Sequence, residues 1–99
     1  MTTPLEKNIV EGILRWLKTV PGCYAEKRHG SRFAAGRPDI SGCINGRRFE
    51  IEVKRPGKGA TKLQKAMLRR WEQAGAVVGV ATSKGEAEEL LKELLELGK

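Results

Sequence analysis

Apolar and polar residues alternate with a period of two along Phe49-Glu-Ile-Glu-Val-Lys54, the pattern of a strand with one buried face. A second apolar-rich run, Ile40-Ser-Gly-Cys-Ile44, precedes it, and Asn45-Gly46 lies between the two. Asn-Gly is the strongest short-range signal for a two-residue turn with both central residues at positive φ, so the stretch Arg37–Lys54 predicts a β-hairpin. Such a turn fixes the register. Ile44 faces Arg47, and each outward step pairs the next residues until Asp39 falls opposite Glu52. Phe49, Ile51 and Val53 then share one face with Ile40, while Glu50, Glu52 and Lys54 share the other with Asp39.

Helical spacing governs the flanks. Leu5, Ile9, Val10, Ile13, Trp16, Leu17 and Val20 form one apolar stripe, opened by a capping pattern with Thr3 as N-cap and Pro4 next, and closed by Pro21-Gly22. Glu6 falls within that stripe and points toward the fold, with a capping role as its alternative. A short strand is expected between Cys23 and His29. Thr61-Lys62-Leu63-Gln64 repeats the capping pattern and opens a helix to Ala74 with Leu63, Met67, Trp71 and Ala74 as its apolar face. Gln64 borders that face. Ala76–Ala81 is a continuous apolar run, typical of a strand buried on both faces, and Ser83-Lys-Gly-Glu86 caps a last helix striped by Ala87, Leu90, Leu91, Leu94 and Leu95. The order α-β-β-β-α-β-α predicts an α/β fold with a mixed central sheet flanked by helices.

A chain of 99 residues is expected to form one domain and to bury about 60% of its unfolded surface. Two cysteines and one histidine, without metal-ligand spacing, indicate neither a zinc site nor a disulfide framework, and a reduced, cytoplasmic setting is expected. No secretory signal or membrane-spanning run stands in the sequence, so no membrane partner is expected.

Charge changes the picture more. The formal net charge is +7, but residues 84–99 hold three Lys and five Glu, a net −2 that leaves +9 on residues 1–83. A positive field around the hairpin points to nucleic acid, whose phosphates supply sequence-independent affinity. Two Gly-punctuated basic stretches flank the hairpin: His29–Arg37, with Arg32 and Arg37, and Arg55-Pro-Gly-Lys58-Gly59, followed by Lys62. These five basic residues are the candidate DNA contacts, and His29 is expected to be a bystander.

Asp39 and Glu52 on adjacent strands are like charges at close range, which costs energy unless a cation lies between them. Two carboxylates with Lys54 two residues on suit Mg²⁺ or Mn²⁺, hard cations that take oxygen ligands. The alternative is a solvated polar face.

Glu6 in Glu-Lys-Asn-Ile-Val, Pro38-Asp39, Glu52-Val53-Lys54 and Gln64, in that order and on those elements, resemble the PD-(D/E)xK nuclease superfamily. Within it the small stand-alone virus-type replication-repair nucleases (VRR-NUC) are most similar, and archaeal-type Holliday junction resolvases are also similar. Gly36-Arg-Pro-Asp-Ile40 and the strand after Gly75 fit the same pattern, so the resemblance covers nearly the whole chain. It implies a single restriction-endonuclease-like domain. It also implies that Asp39, Glu52 and the main-chain carbonyl of Val53 bind the divalent ion, with Glu6 a ligand directly or through water. Lys54 would position the attacking water and stabilise charge on the phosphate, and Gln64 would orient water or Lys54. A Lys beside two carboxylates suits electrostatics better than proton abstraction.

The expected function is therefore a metal-dependent, structure-selective DNA endonuclease, most of all a homodimeric Holliday junction resolvase acting on branched double-stranded DNA in a bacterial or phage-infected cell. Dimerisation follows from the resemblance, with exposed parts of the first helix and the basic loop as candidate surfaces. The alternatives are a flap or other branched-DNA nuclease and a non-catalytic basic nucleic-acid-binding module. A sequence-specific restriction enzyme is less favoured, because so short a chain leaves no room for a recognition insert.

Overall fold

The computed structural model describes residues 5–28 and 35–98. Its elements run α1 (Glu6–Leu17), β1 (Cys23–Lys27), β2 (Ile40–Ile44), β3 (Arg47–Val53), α2 (Lys62–Gln73), β4 (Val77–Ala81), α3 (Lys84–Leu90) and α4 (Lys92–Glu96). One four-stranded sheet, in the order β1-β2-β3-β4, is antiparallel across its first three strands and parallel between β3 and β4. No described helix is long and apolar enough to cross a membrane.

The hairpin forms as its turn dictates. Asn45 and Gly46 sit at φ 52 and 83, and the ladder runs from Ile44↔Arg47 to Ile40↔Ile51, the register expected. Asn45 has a second task, since its Nδ2 donates to the Leu94 carbonyl at 3.0 Å and ties the turn to α4. Asp39 stands one residue before β2, in a bend rather than in the ladder.

Ile40, Ile44, Phe49, Ile51 and Val53 point to one side of the sheet and pack in one cluster with Ile9, Val10, Ile13 and Leu17 of α1 and Ala87, Leu91 and Leu94 at the C-terminal end. Alternation sends Arg48, Glu50 and Glu52 to the other side, under α2. The fold thus separates an apolar layer from a polar one across a single strand.

Four expectations need correction. The first helix begins at Glu6 with Leu5 as N-cap in extended conformation, not at Thr3, and its first turn is closed by Asn8 and Ile9 N–H groups on the Leu5 carbonyl at 3.0 and 3.1 Å. Thr3 and Pro4 lie outside the described residues. The buried residue of α2 is Leu68, whereas Leu63 is 51% exposed, because a helix over a polar sheet surface turns Gln64, Leu68 and Trp71 inward. β4 is not buried on both faces: it ends the sheet with one neighbouring strand, and Val80 is 37% exposed. The last helix is two helices, broken at Leu91 (φ −96°, ψ 5°), a bend that keeps both Leu91 and Leu94 in the core.

Candidate active site

Glu52 sits near the C-terminal end of β3, between β2 and β4 and beneath the first turn of α2, which leaves it 3% exposed. Thr61 caps α2 by accepting from the Gln64 N–H at 3.2 Å, and the Gln64 side-chain oxygen returns the bond by accepting from the Thr61 N–H at 2.9 Å. That reciprocal cap aims the other end of the Gln64 amide at the sheet, where Nε2 donates to Glu52 Oε1 at 3.0 Å. Among the described residues, the remaining oxygen, Glu52 Oε2, is buried without a hydrogen-bond partner.

Asp39 arrives from the bend just ahead of β2, and its Oδ2 accepts from the Val53 N–H at 2.8 Å. Lys54 Nζ lies 4.0 Å from Glu52 Oε1 and 3.9 Å from Glu6 Oε1, so it bridges β3 to the start of α1. Glu6 does face the site, but its side chain is 46% exposed and it stands at the rim.

Burial pushes the Glu52 carboxyl up to about 8, helped by the charges of Asp39 and the more distant Glu6, while Lys54 pulls the other way and loses. In the metal-free protein at neutral pH, Glu52 therefore retains its proton. A crowded carboxylate pair with an unsatisfied buried oxygen is relieved either by that proton or by a cation.

Among the described residues, no group of three or more His, Cys, Asp or Glu side chains is placed to hold a metal. Glu6 is spent on Lys54, and one Asp39 oxygen on the Val53 N–H. The donor set is thus a carboxylate pair rather than a closed cage. It fits Mg²⁺ or Mn²⁺, because Mg²⁺ commonly keeps several waters and takes only one or two carboxylates. It is Val53's N–H, rather than its carbonyl, that touches Asp39 here.

The basic candidates are spread out. Arg37 is exposed ahead of Asp39, Arg55 is half-buried just after Lys54, and Lys58 and Lys62 are exposed between β3 and α2. Arg32 and His29 lie outside the described residues.

A second buried carboxylate was not anticipated. Glu50 is fully buried two residues before Glu52, with Oε1 on Arg28 Nη1 at 2.9 Å and Oε2 on Arg48 Nε at 2.9 Å and Ser41 Oγ at 2.6 Å. Both guanidiniums lie over the Trp71 ring, Arg48 at 4.6 Å and Arg28 at 5.7 Å, which joins α2 to the sheet. Part of this was readable beforehand, since the hairpin register sets Ser41 opposite Glu50 and places Arg48 next to it on the same face. Arg28 carried no such local signal.

No protein-family model and no curated protein matches the sequence. A solved structure described as a VRR_NUC domain protein superposes with a TM-score of 0.79 at 20% sequence identity, covering 99% of this chain and 93% of that one. The protein has the fold of that VRR_NUC domain, one α/β domain with a four-stranded mixed sheet flanked by helices.

Proposed function

We propose that the protein is a metal-dependent endonuclease of the PD-(D/E)xK type that hydrolyses phosphodiester bonds in branched DNA, working as a homodimeric Holliday junction resolvase. The observation that carries this reading is the buried Glu52 carboxyl, with one oxygen unsatisfied, set against Asp39, Lys54 and Gln64. The VRR_NUC-like fold and the +9 charge on residues 1–83 support it.

Asp39 and Glu52 would hold Mg²⁺ or Mn²⁺, with the Val53 carbonyl and, through water, Glu6. A bound divalent ion supplies a Lewis acid for the phosphoryl oxygen and a more acidic water. The other tasks belong to the chain. Lys54, braced between Glu6 and Glu52, places positive charge where the phosphate gains negative charge in the transition state. Gln64, fixed by the cap, holds one Glu52 oxygen in place and so leaves the other for the ion. Arg37, Arg55, Lys58 and Lys62, with Arg32, would take backbone phosphates. Two related cuts across a four-way junction call for a two-fold axis, hence the dimer.

The test compares cleavage of labelled four-way junction, flap and plain duplex DNA, in Mg²⁺ or Mn²⁺, by the parent, Asp39→Asn and Lys54→Ala. Paired cuts on the junction that both variants lose while still binding DNA are expected. A parent that binds all three DNAs alike and cuts none with either ion would overturn the reading in favour of a non-catalytic basic module.

A further inference from the structure

On the sheet face that carries Glu52, an open cleft of about 450 Å³ is lined by Arg28, Arg37, Met67, Arg70 and Trp71. Three of these five are arginines, and no acidic side chain is among them. Arg28 is fixed before any ligand arrives: its Nη1 donates to Glu50 Oε1 at 2.9 Å and to the Pro38 carbonyl at 3.3 Å. Arg48 stacks on Trp71 and is held by Glu50 and by Ser41 Oγ, the latter at 2.7 Å, so the ring has little freedom. Among the described residues, neither Arg37 nor Arg70 is in a salt bridge. The cleft thus combines an aromatic ring and a guanidinium, both pre-placed, with two arginines that are in no salt bridge among the described residues.

That combination matches a nucleotide. A phosphate alone would account for the arginines but not for Trp71 and Met67. A base inside a duplex has both faces stacked and cannot enter, whereas an unpaired base stacks on aromatic rings and arginine planes. The cleft is also within reach of the carboxylates. Arg37 stands two residues before Asp39, the Arg28 N–H donates to the Asp39 carbonyl at 2.7 Å, and Trp71 follows Gln64 by two turns of α2. Two turns span about 11 Å, and a DNA strand carries one phosphate per ~3.4 Å of helix axis. The separation is therefore a few nucleotides along a strand.

We propose that this cleft is a subsite for one unpaired nucleotide of the DNA strand, its base stacked on Trp71 and Arg28 and its phosphate on Arg37 and Arg70. Branched DNA offers such a nucleotide where its arms part, so the subsite selects substrates opened beside the scissile phosphate. As a statement about substrate choice this rests on the nuclease reading; as a statement about binding it does not.

The test is therefore done in EDTA, without cleavage. In a Trp16→Phe background, which leaves Trp71 as the single indole of the two in the sequence, emission is followed on adding a short oligothymidylate, the same backbone lacking bases, a duplex of equal length, or thymidine monophosphate. The base-bearing strand should quench Trp71 and bind roughly fivefold to a hundredfold more tightly than the abasic strand. By anisotropy, Arg37→Ala and Arg70→Ala should weaken both strands, Trp71→Phe should keep the preference for bases, and Trp71→Leu should remove it. Equal binding and equal quenching by abasic and base-bearing strands overturn the subsite, as does equal quenching by duplex or a monophosphate that binds as tightly as the strand. A protein that shows the preference but cuts no DNA keeps the subsite and loses the nuclease reading. One that cuts branched DNA but ignores the bases loses the subsite alone.

Discussion

Gln64 spends its amide on two elements at once, accepting from the Thr61 N–H at 2.9 Å and donating to Glu52 Oε1 at 3.0 Å. Helix cap and site geometry are therefore the same side chain, and substitutions can separate them. Gln64→Glu keeps an acceptor for the cap but sets a carboxylate against Glu52. Gln64→Ala loses both contacts and should cost about 1–3 kcal/mol, the size of two net hydrogen bonds. Urea denaturation should show Gln64→Glu close to the parent near pH 5, while both variants lose cleavage. A Gln64→Glu chain that cuts as well as the parent would remove Gln64 from the site.

Glu52 sets a pH dependence in the metal-free protein. Its carboxyl titrates at about 8 when folded, against 4.5 when exposed. Below 4.5 both states hold the proton and the contribution is fully present. Between the two values the unfolded chain releases a proton that the folded chain keeps, so stability falls as pH rises, and the contribution is lost once pH passes about 8. Thermal melts in EDTA should show Glu52→Gln flattening that decline and raising Tm at the alkaline end. Added Mg²⁺ should stabilise the parent most there, and Glu52→Gln hardly at all. Parent and variant slopes that coincide would mean that Glu52 is not held protonated.

Glu50 predicts a different outcome from its neighbour two residues on. Glu50→Ala strands the donors of Arg28, Arg48 and Ser41 around a buried site. The loss should be about 1–3 kcal/mol in chemical denaturation, with no effect of Mg²⁺ on its size. A neutral substitution there would show that water replaces the carboxylate without cost.

Two glycines should respond in opposite directions. A Cβ at Gly42 would run into the Tyr24 carbonyl and approach Phe49 Cζ to 2.7 Å and Ala25 Cα to 2.9 Å, two of the three contacts being rigid backbone. Gly42→Ala should cost about 1–3 kcal/mol or prevent folding. At Gly12, inside α1, a Cβ meets nothing within 4 Å, so Gly12→Ala should stabilise by about 0.5–1 kcal/mol. Denaturation midpoints for the pair check both signs.

How far the sequence reaches depends on how local the determining interaction is. Asn45-Gly46 settled the register of β2 on β3, and Thr61 with Gln64 settled the start of α2, because each signal lies within four residues. The inward turn of Leu68 was not legible, since it answers to the polar sheet surface beneath the helix. The break at Leu91 was hidden by an unbroken leucine stripe, and the edge position of β4 by an apolar run that reads alike at the edge or the centre of a sheet. In the site, Asp39, Glu52 and Lys54 lie together as the hairpin pattern suggested and Gln64 joins them where the resemblance placed it, whereas the Arg28–Glu50 pair joins residues 22 apart and needed the fold.

β3 gives every other residue to the apolar layer and the ones between to the carboxylate layer, so the two sets are told apart by parity alone. Removing or adding one residue between the Asn45-Gly46 turn and Glu50 would swap them, driving Glu50 and Glu52 toward Ile13 and Leu17 and lifting Phe49 and Ile51 under α2. The hairpin can therefore change length only in steps of two, whereas the turn between Arg55 and Ala60, which lies outside the ladder, is under no such arithmetic.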